Sequence, residues 1–520
     1  MDYTHLPQEG KSYSLFPQIR VNTELSEILT RAFELYDKCP EIRQKILHDL
    51  DAYALEKKKK RLADAAWARK QTLPLDLNAL PGKSQAKIRL AVGSPRMTPE
   101  VVYMFIILEQ TFHSLTDKQA TERIKDSMTL QFFFDLYNYR TPPARSTRHE
   151  NVRKISKATI KYILQQQLRL VLDKALDDFK HLTVDSTAVW ANCQWPTDSG
   201  LLKDVFYRGY HLSQQLHEKF GIPNFLPWFM RTWLSKIDSL NFQINTTSGK
   251  GSKEKRKKLY LELYAVVEKA STHMSREITK RRIQKESVNL APSKVQQLNT
   301  LWTRIEGYIS DSKVIMAYSR ERIIEGKKIE NGIKVISLSD SAAAFITKGD
   351  RETVVGYRPQ LGRSENGFVT ALIVPKGNAA DAPKLLPLVE DSIKNTGVVP
   401  SGVSGDDGYW STKGVDGVKV IDGVDWVSIS GSKGKRHTSK EDWDSEIFKN
   451  ARRMRSAVES LMFVLKDILG FGRLRRRGIE AVEIELLQKV IVYNFRQMGI
   501  VEKKIRNKER REKAKQFQAS

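Results

Sequence analysis

HLTVDSTAVW (His181–Trp190) is short, β-branched and apolar, and reads as a strand that carries Asp185 near its end. The text on either side is helical. Upstream, residues 22–66 place Leu25, Ile28, Leu29 and Phe33 at helical spacing. Residues 75–96, preceded by Pro74 and containing Pro81, Gly82, Gly93 and Pro95, form a connector. Thr98 offers an N-cap with Pro99 at the first helical position, ahead of the apolar run TPEVVYMFIILEQTFHSL and a segment of two further short helices. TPPARSTRHENVRKIS (Thr141–Ser156) mixes prolines with basic and hydroxyl residues, and a long amphipathic helix follows at 157–178. The first 175 residues therefore read as an all-helical unit.

Downstream, helical texture runs from Pro196 to about Arg322, broken by a mobile Gly/Ser/Lys loop at Asn245–Lys258. From Gly332 to Ile429 the sequence is β-rich, with candidate strands IKVISL, AFITK, TVVGYRP, GFVTALIV, SGVSGD, VKVI and DWVSI and one helix near Ala382–Lys394. Lys440–Gly470 and Val482–Met498 read as long helices, and no internal repeat is present. A lone strand so far from its sheet partners implies a domain interrupted by an insertion.

The chain has 520 residues, too many for one ordinary domain. Its apolar fraction of 40% excludes global disorder. The only cysteines are Cys39 and Cys193, which excludes a disulfide scaffold or a cysteine-based zinc module and suits a reducing cytosol. No apolar run is long enough to span a membrane, and the opening MDYTHLPQEGKSYSLF lacks the pattern of a secretory signal. The formal net charge is +26, and the basic residues cluster at Lys57–Arg61, Lys253–Lys258, Lys280–Arg282, Arg473–Arg477 and the end from Lys503. Simple solubility would not require clustering; a nucleic acid contacted along a track would.

Three acidic residues stand out. Asp185 ends the isolated strand, Asp406 follows the run PSGVSG and opens D-D-G-Y, and Glu459 lies within a helix. In that helix Met454, Val458, Leu461 and Leu465 form an apolar stripe, with Arg452, Arg455, Glu459 and Lys466 on a neighbouring polar face. Two aspartates on adjacent strand ends, faced by a helical glutamate, are the minimum set for two-metal phosphoryl transfer with Mg²⁺. Taken singly, each residue also fits a humbler role: Asp185 a strand-end cap, Asp406 or Asp407 a turn before Gly408, Glu459 an ion pair with Arg455. His437 and Cys193 are read as structural.

These segments resemble bacterial insertion-sequence transposases of the DDE class. The likeness rests on VDSTAVWANCQWPTDSGLLKD, KVISLSDSAAAFITKG, VVGYRPQLGRSENGFVTALIV, VSGDDGYWS and RRMRSAVESLMFVLKDILGFGRLRRRG, together with the N-terminal helices and VIVYNFRQMG. The resemblance implies an α/β fold: an RNase H-like mixed sheet with flanking helices, interrupted by a mainly helical insertion and preceded by an all-helical N-terminal domain. It implies a DNA-binding domain at 1–175, a discontinuous catalytic domain at 176–196 and 331–500, an insertion at 197–330 and a basic C-terminal tail at 501–520. Asp185, Asp406 and Glu459 are then the catalytic and metal-binding carboxylates, holding two Mg²⁺ or Mn²⁺ ions; Asp407 competes with Asp406 as the second. Arg455 and Lys466 fit a Tyr-Arg-Glu-Lys signature as phosphate contacts, whereas Arg452 stands where relatives carry tyrosine and is assigned to DNA binding. Metal-dependent cleavage at the ends of a mobile element and strand transfer are implied, with terminal inverted repeats and target DNA as partners, a homodimer on DNA, and a bacterial cytoplasmic, nucleoid-associated location. The alternatives are a catalytically inactive transposase descendant and a structural nucleic-acid-binding protein. The basic clusters at Lys250–Lys258 and Lys280–Arg282 would either clamp DNA or form a mobile solvated loop, and Arg145, Arg148, Arg153 and Lys154 lie where the N-terminal helices join the core.

Overall fold

The structure is a computed structural model and describes residues 24–71, 97–111, 117–127, 130, 144–223, 228–285, 290–330, 332–347 and 352–519. The expected connector at 75–96 lies outside the described residues. The chain divides into two compact units, Met1–Tyr53 with Ala86–Asn192 and Ile346–Ser520, and Ala54–Gln85 with Cys193–Phe345. The helices expected as a separate N-terminal domain thus fall largely in the same unit as the sheet.

In the first unit the early helices are α1 (Glu24–Lys38), the start of α2 (Pro40–Gln71), α3 (Pro99–Thr111), α4 (Asp117–Asp126), α5 (Arg145–Val152) and α6 (Lys157–Asp173). As expected, α3 starts at Pro99, with the Val101 amide donating to Thr98 Oγ1. α6 stops five residues short of its expected end. Between α6 and the sheet Ala175 and Phe179 take left-handed φ values of 51° and 56°. Asp177 fixes this reversal by accepting from the Phe179 amide, the Ser364 hydroxyl and the Asn366 amide.

HLTVDSTAVW is two strands: β1 (His181–Ser186) and β2 (Val189–Trp190). After a three-residue β3 (Ala344–Ile346) come β4 (Val354–Tyr357), β5 (Gln360–Ser364), β6 (Val369–Ile373), α11 (Leu385–Thr396), β7 (Gly402–Gly405), α12 (Thr412–Lys419), β8 (Trp426–Ile429), α13 (Ser432–His437), α14 (Lys440–Asp444), α15 (Glu446–Phe463) and α16 (Ile479–Ala519). Four helices of the second unit, described below, fill the numbers α7 to α10. The main sheet has the order β6-β5-β1-β7-β8. β1 is antiparallel to β5 and parallel to β7, β5 is antiparallel to β6, and β7 is parallel to β8. β1 is central and nearly buried throughout, and its apolar Leu182 and Val184 alternate with the polar His181, Thr183 and Asp185. Leu182 and Val184 join Leu385, Leu388, Val389 and Tyr409 in one core cluster, on the face covered by α11 and α12. His181, Thr183 and Asp185 alternate to the other face, where His181 meets Trp426 and Trp426 meets Phe448 of α15.

Several sequence expectations are corrected. IKVISL forms no strand, and VKVI closes α12 instead, because Ser411 caps that helix by accepting from the Gly414 amide. β5 was hidden in QLGRS, whose glycine and arginine carry little strand propensity. The helix expected at Lys440–Gly470 is broken at Ser445, which caps α15 through the Phe448 amide. Beyond Phe463 it relaxes into a π-helical turn over Val464–Ile468. The segment expected as a basic tail continues α16, which is buried as far as Val501 and exposed from Lys503.

In the second unit α7 (Asp198–Phe220), α8 (Trp228–Thr246), α9 (Ser252–Lys285) and α10 (Pro292–Ile323) share a core that includes Phe206, Leu263, Trp302 and Ile315. Arg322 of α10 pairs with buried Asp198 at 2.5 Å. The Lys253–Lys258 cluster, expected in a mobile loop, forms the first turns of α9. Among the described residues no helix is long and apolar enough to cross a membrane.

Candidate active site

β1 and β7 pair as His181↔Gly402, Leu182↔Val403 and Thr183↔Ser404. Continuing that register by two residues sets Asp185 beside Asp406, at the carboxyl ends of adjacent parallel strands. The alternation puts them on one face: Thr183 and Ser404 there share a hydrogen bond of 3.0 Å, and His181 reaches the same serine at 3.2 Å. Parallel neighbours lie about 5 Å apart, so the two carboxylates are near neighbours. α15 packs against β1, β7 and β8.

A cavity of about 1100 Å³ opens beside Asp185. Arg455, Glu459 and Lys466 line it, with Trp190, Arg473 and Arg475 on a further wall. The structure therefore gathers Asp185, Glu459, Arg455 and Lys466 around one space. Glu459 is exposed there, and Lys466 sits in the π turn, where the Leu469 amide bonds back to the Val464 carbonyl. Asp406 does not line this cavity. Arg452 does not either: its guanidinium lies 4.3 Å from the centre of the Trp443 ring and donates to the Trp443 carbonyl, so it braces α14 against α15. Arg148 and Lys154 are likewise engaged within the fold, over Phe105 and Tyr53 respectively.

The two candidates for the second carboxylate have different surroundings. Asp407 Oδ1 accepts from the amides of Lys433 and Gly434 at 2.7 and 3.2 Å, tying down the start of α13. Asp406 Oδ1 accepts from the Gly408 amide at 3.1 Å and so shapes its own turn. A side chain at Gly408 would stand 3.0 Å from Asp381 Oδ2 and 3.1 Å from Asp406 Oδ1. Gly408 thus lets a buried third aspartate approach the turn. Asp381 pairs with Arg358 and accepts from Gln360 Nε2 at 2.8 Å. Arg358 Nε also donates to Ser186 Oγ, and the Tyr409 hydroxyl donates to Gln360. Burial first, then Asp381, Asp185 and Asp406, push the Tyr409 hydroxyl far above its ordinary range, so it stays a neutral donor. This network under the strand ends was not read from the sequence. Its only trace there is the aspartate, any residue, glycine, aromatic spacing at Asp406–Tyr409.

The donor chemistry suits Mg²⁺, which takes one or two protein carboxylates and completes its shell with water and phosphate oxygens; Asp185 and Asp406 supply such a pair. Among the described residues no three His, Cys, Asp or Glu side chains group closely enough to hold a metal ion. Glu459 faces the cavity from an exposed helical position.

Residues 302–495, a little over a third of the chain, match the family model of the transposase DDE domain. The match takes in Asp406, Arg455, Glu459 and Lys466 and begins after Asp185. No curated protein and no solved structure matches the chain.

Proposed function

We propose, from the transposase DDE domain match, that this chain is a DNA transposase that cleaves at the ends of an insertion sequence and joins the freed 3′-OH to target DNA. The observation that carries the reading is the register that sets Asp185 beside Asp406 at parallel strand ends, with the Glu459 helix packed on the same strands. Three antiparallel neighbours, β6-β5-β1, extended by parallel β7 and β8, support an RNase H-like core for it.

A pair of Mg²⁺ or Mn²⁺ ions, when bound, supplies activation of the nucleophile and neutralisation of the departing oxygen. In this reading Asp185 and Asp406 hold the ions and Glu459 completes the set once DNA fills the cavity. Arg455 and Lys466 bind the phosphates flanking the scissile bond, and the buried Asp381–Arg358 pair fixes the strand ends beneath. Catalysis then rests on position and charge, with no covalent protein–DNA step. The N-terminal helices bind the element ends, two copies act together on DNA, and the work is done at the bacterial nucleoid.

The test uses a supercoiled plasmid carrying the coding region with its flanking inverted repeats. The wild-type chain is expected to nick it only with Mg²⁺ or Mn²⁺, and Asp185→Asn to lose nicking while still binding the plasmid. Equal nicking by Asp185→Asn removes the residue from the site. A second reading, a DNA-binding descendant without chemistry, would be established by metal-independent binding and no nicking by the wild-type chain.

A further inference from the structure

The segment between the π turn and α16, LGFGRLRRRG (Leu469–Gly478), carries four arginines in five residues, and its backbone is bonded from two sides. Two buried charges on α16 do much of this. Lys489 and Glu485 are 1% and 2% exposed and 3.6 Å apart. Lys489 Nζ donates to the carbonyls of Leu469 and Gly470 at 3.3 and 2.9 Å. Glu485 accepts from the amide of Arg475 at 3.2 and 3.1 Å and from that of Arg476 at 2.8 Å. Burial pushes the Lys489 ammonium down and Glu485 pushes it back up.

The other side of the segment is bonded to β2. The Trp190 amide donates to the Gly472 carbonyl at 2.8 Å and the Leu474 amide to the Trp190 carbonyl at 2.9 Å. Asn192 Nδ2 donates to the Arg475 carbonyl at 2.6 Å, and Arg477 Nε to the Asn192 carbonyl at 2.8 Å. Phe471 and Leu474 are buried, at 0% and 3%. Arg473 and Arg475 alternate with Leu474 to the outside, and both line the cavity that holds Asp185 and Glu459.

Burying an ion pair is costly unless its geometry is good and its remaining hydrogen-bonding capacity is used. Here that capacity is spent on the carbonyls and amides of one short segment. A surface loop needs no such support to be soluble; a wall that must present charges at fixed positions does. We infer that Leu469–Arg477 is a preformed wall for the phosphodiester backbone of DNA, with Arg473 and Arg475 as phosphate contacts and Glu485 and Lys489 as the residues that position them. This rests on the proposed function and adds two contacts and their support to it.

The test is the salt dependence of binding to a short duplex of arbitrary sequence, measured with the full chain. Each lost phosphate contact lowers the slope of log K against log salt by about 0.9. Arg473→Ala/Arg475→Ala, at exposed positions, is expected to lose about two such steps. Lys489→Met, or Glu485→Gln if that chain does not fold, is expected to lose the same amount, and adding it to the double variant to lose nothing more. A wild-type slope in the arginine double variant overturns the wall. A wild-type slope in the folded Lys489→Met chain, or a loss that adds in full to that of the arginines, overturns the positioning. If the wild-type chain itself binds the duplex without a steep salt dependence, it is the proposed function that fails.

Discussion

At the scale of single residues, the candidate site depends on side chains that carry no chemistry themselves. Asp381 holds Arg358, and Arg358 reaches Ser186, the neighbour of Asp185. Asp381→Ala leaves a guanidinium that is only 16% exposed without its counter-charge, at a cost of about 3–5 kcal/mol. Urea unfolding checks the cost, and nicking by the folded fraction should fall with it; an unchanged unfolding midpoint would contradict the role. His181 gives a pH signature. Burial, with the Arg363 charge adding to it, pushes its imidazole from 6.5 down to about 4. The unfolded chain takes up the proton first, so this stabilisation is complete above 6.5 and is lost as pH falls towards 4, by about 3 kcal/mol. Unfolding free energies measured across that window should slope upward with pH, and His181→Gln should remove that part of the slope. The placement of Asp185 and Asp406 at strand ends and of Glu459 within a helix was legible in the sequence, because turn residues and helical spacing mark such positions. Asp381 was not, because nothing in PKGNAADAPK tells a buried aspartate from a loop aspartate.

At the scale of elements, the long periodic helices and β1, β6, β7 and β8 were legible, since their apolar residues follow burial. What failed was decided by local hydrogen bonds: Ser411 and Ser445 end or start helices that apolar patterning alone runs together or reads as strand. The split of HLTVDSTAVW was equally hidden, because β2 exists through pairing with distant β4, as Val189↔Tyr357 and Trp190↔Gly356. That pairing needs a glycine: a Cβ on Gly356 would stand 1.8 Å from the Val189 carbonyl oxygen and 2.8 Å from the Ala191 amide. Gly356→Ala should therefore separate β2 from β4 and cost about 1–3 kcal/mol. Since Trp190 of β2 lines the cavity and anchors the arginine segment, nicking should fall more steeply than stability. A variant with wild-type nicking and a wild-type melting curve would show that β2 does not shape the site.

At the scale of the whole molecule, the chain builds two compact units, the second with its own buried cluster around Trp302. Separate cores predict separate unfolding transitions. Trp302→Ala should cost about 3–5 kcal/mol in the transition of the second unit and leave the other in place, as followed by scanning calorimetry. A single transition that moves as a whole would show the units to be one cooperative body. The charge of +26 was legible in the sequence, but its distribution was not, since clusters such as Lys253–Lys258 prove to be helix rather than loop. The shared metal binding proposed for Asp185, Asp406 and Glu459 is measured most directly as Mn²⁺ uptake by the DNA-bound chain. A pair of ions per chain is predicted for the wild type, none for Asp185→Asn, and one each for Asp406→Asn and Glu459→Gln. Uptake by Asp185→Asn equal to that of the wild type would contradict it.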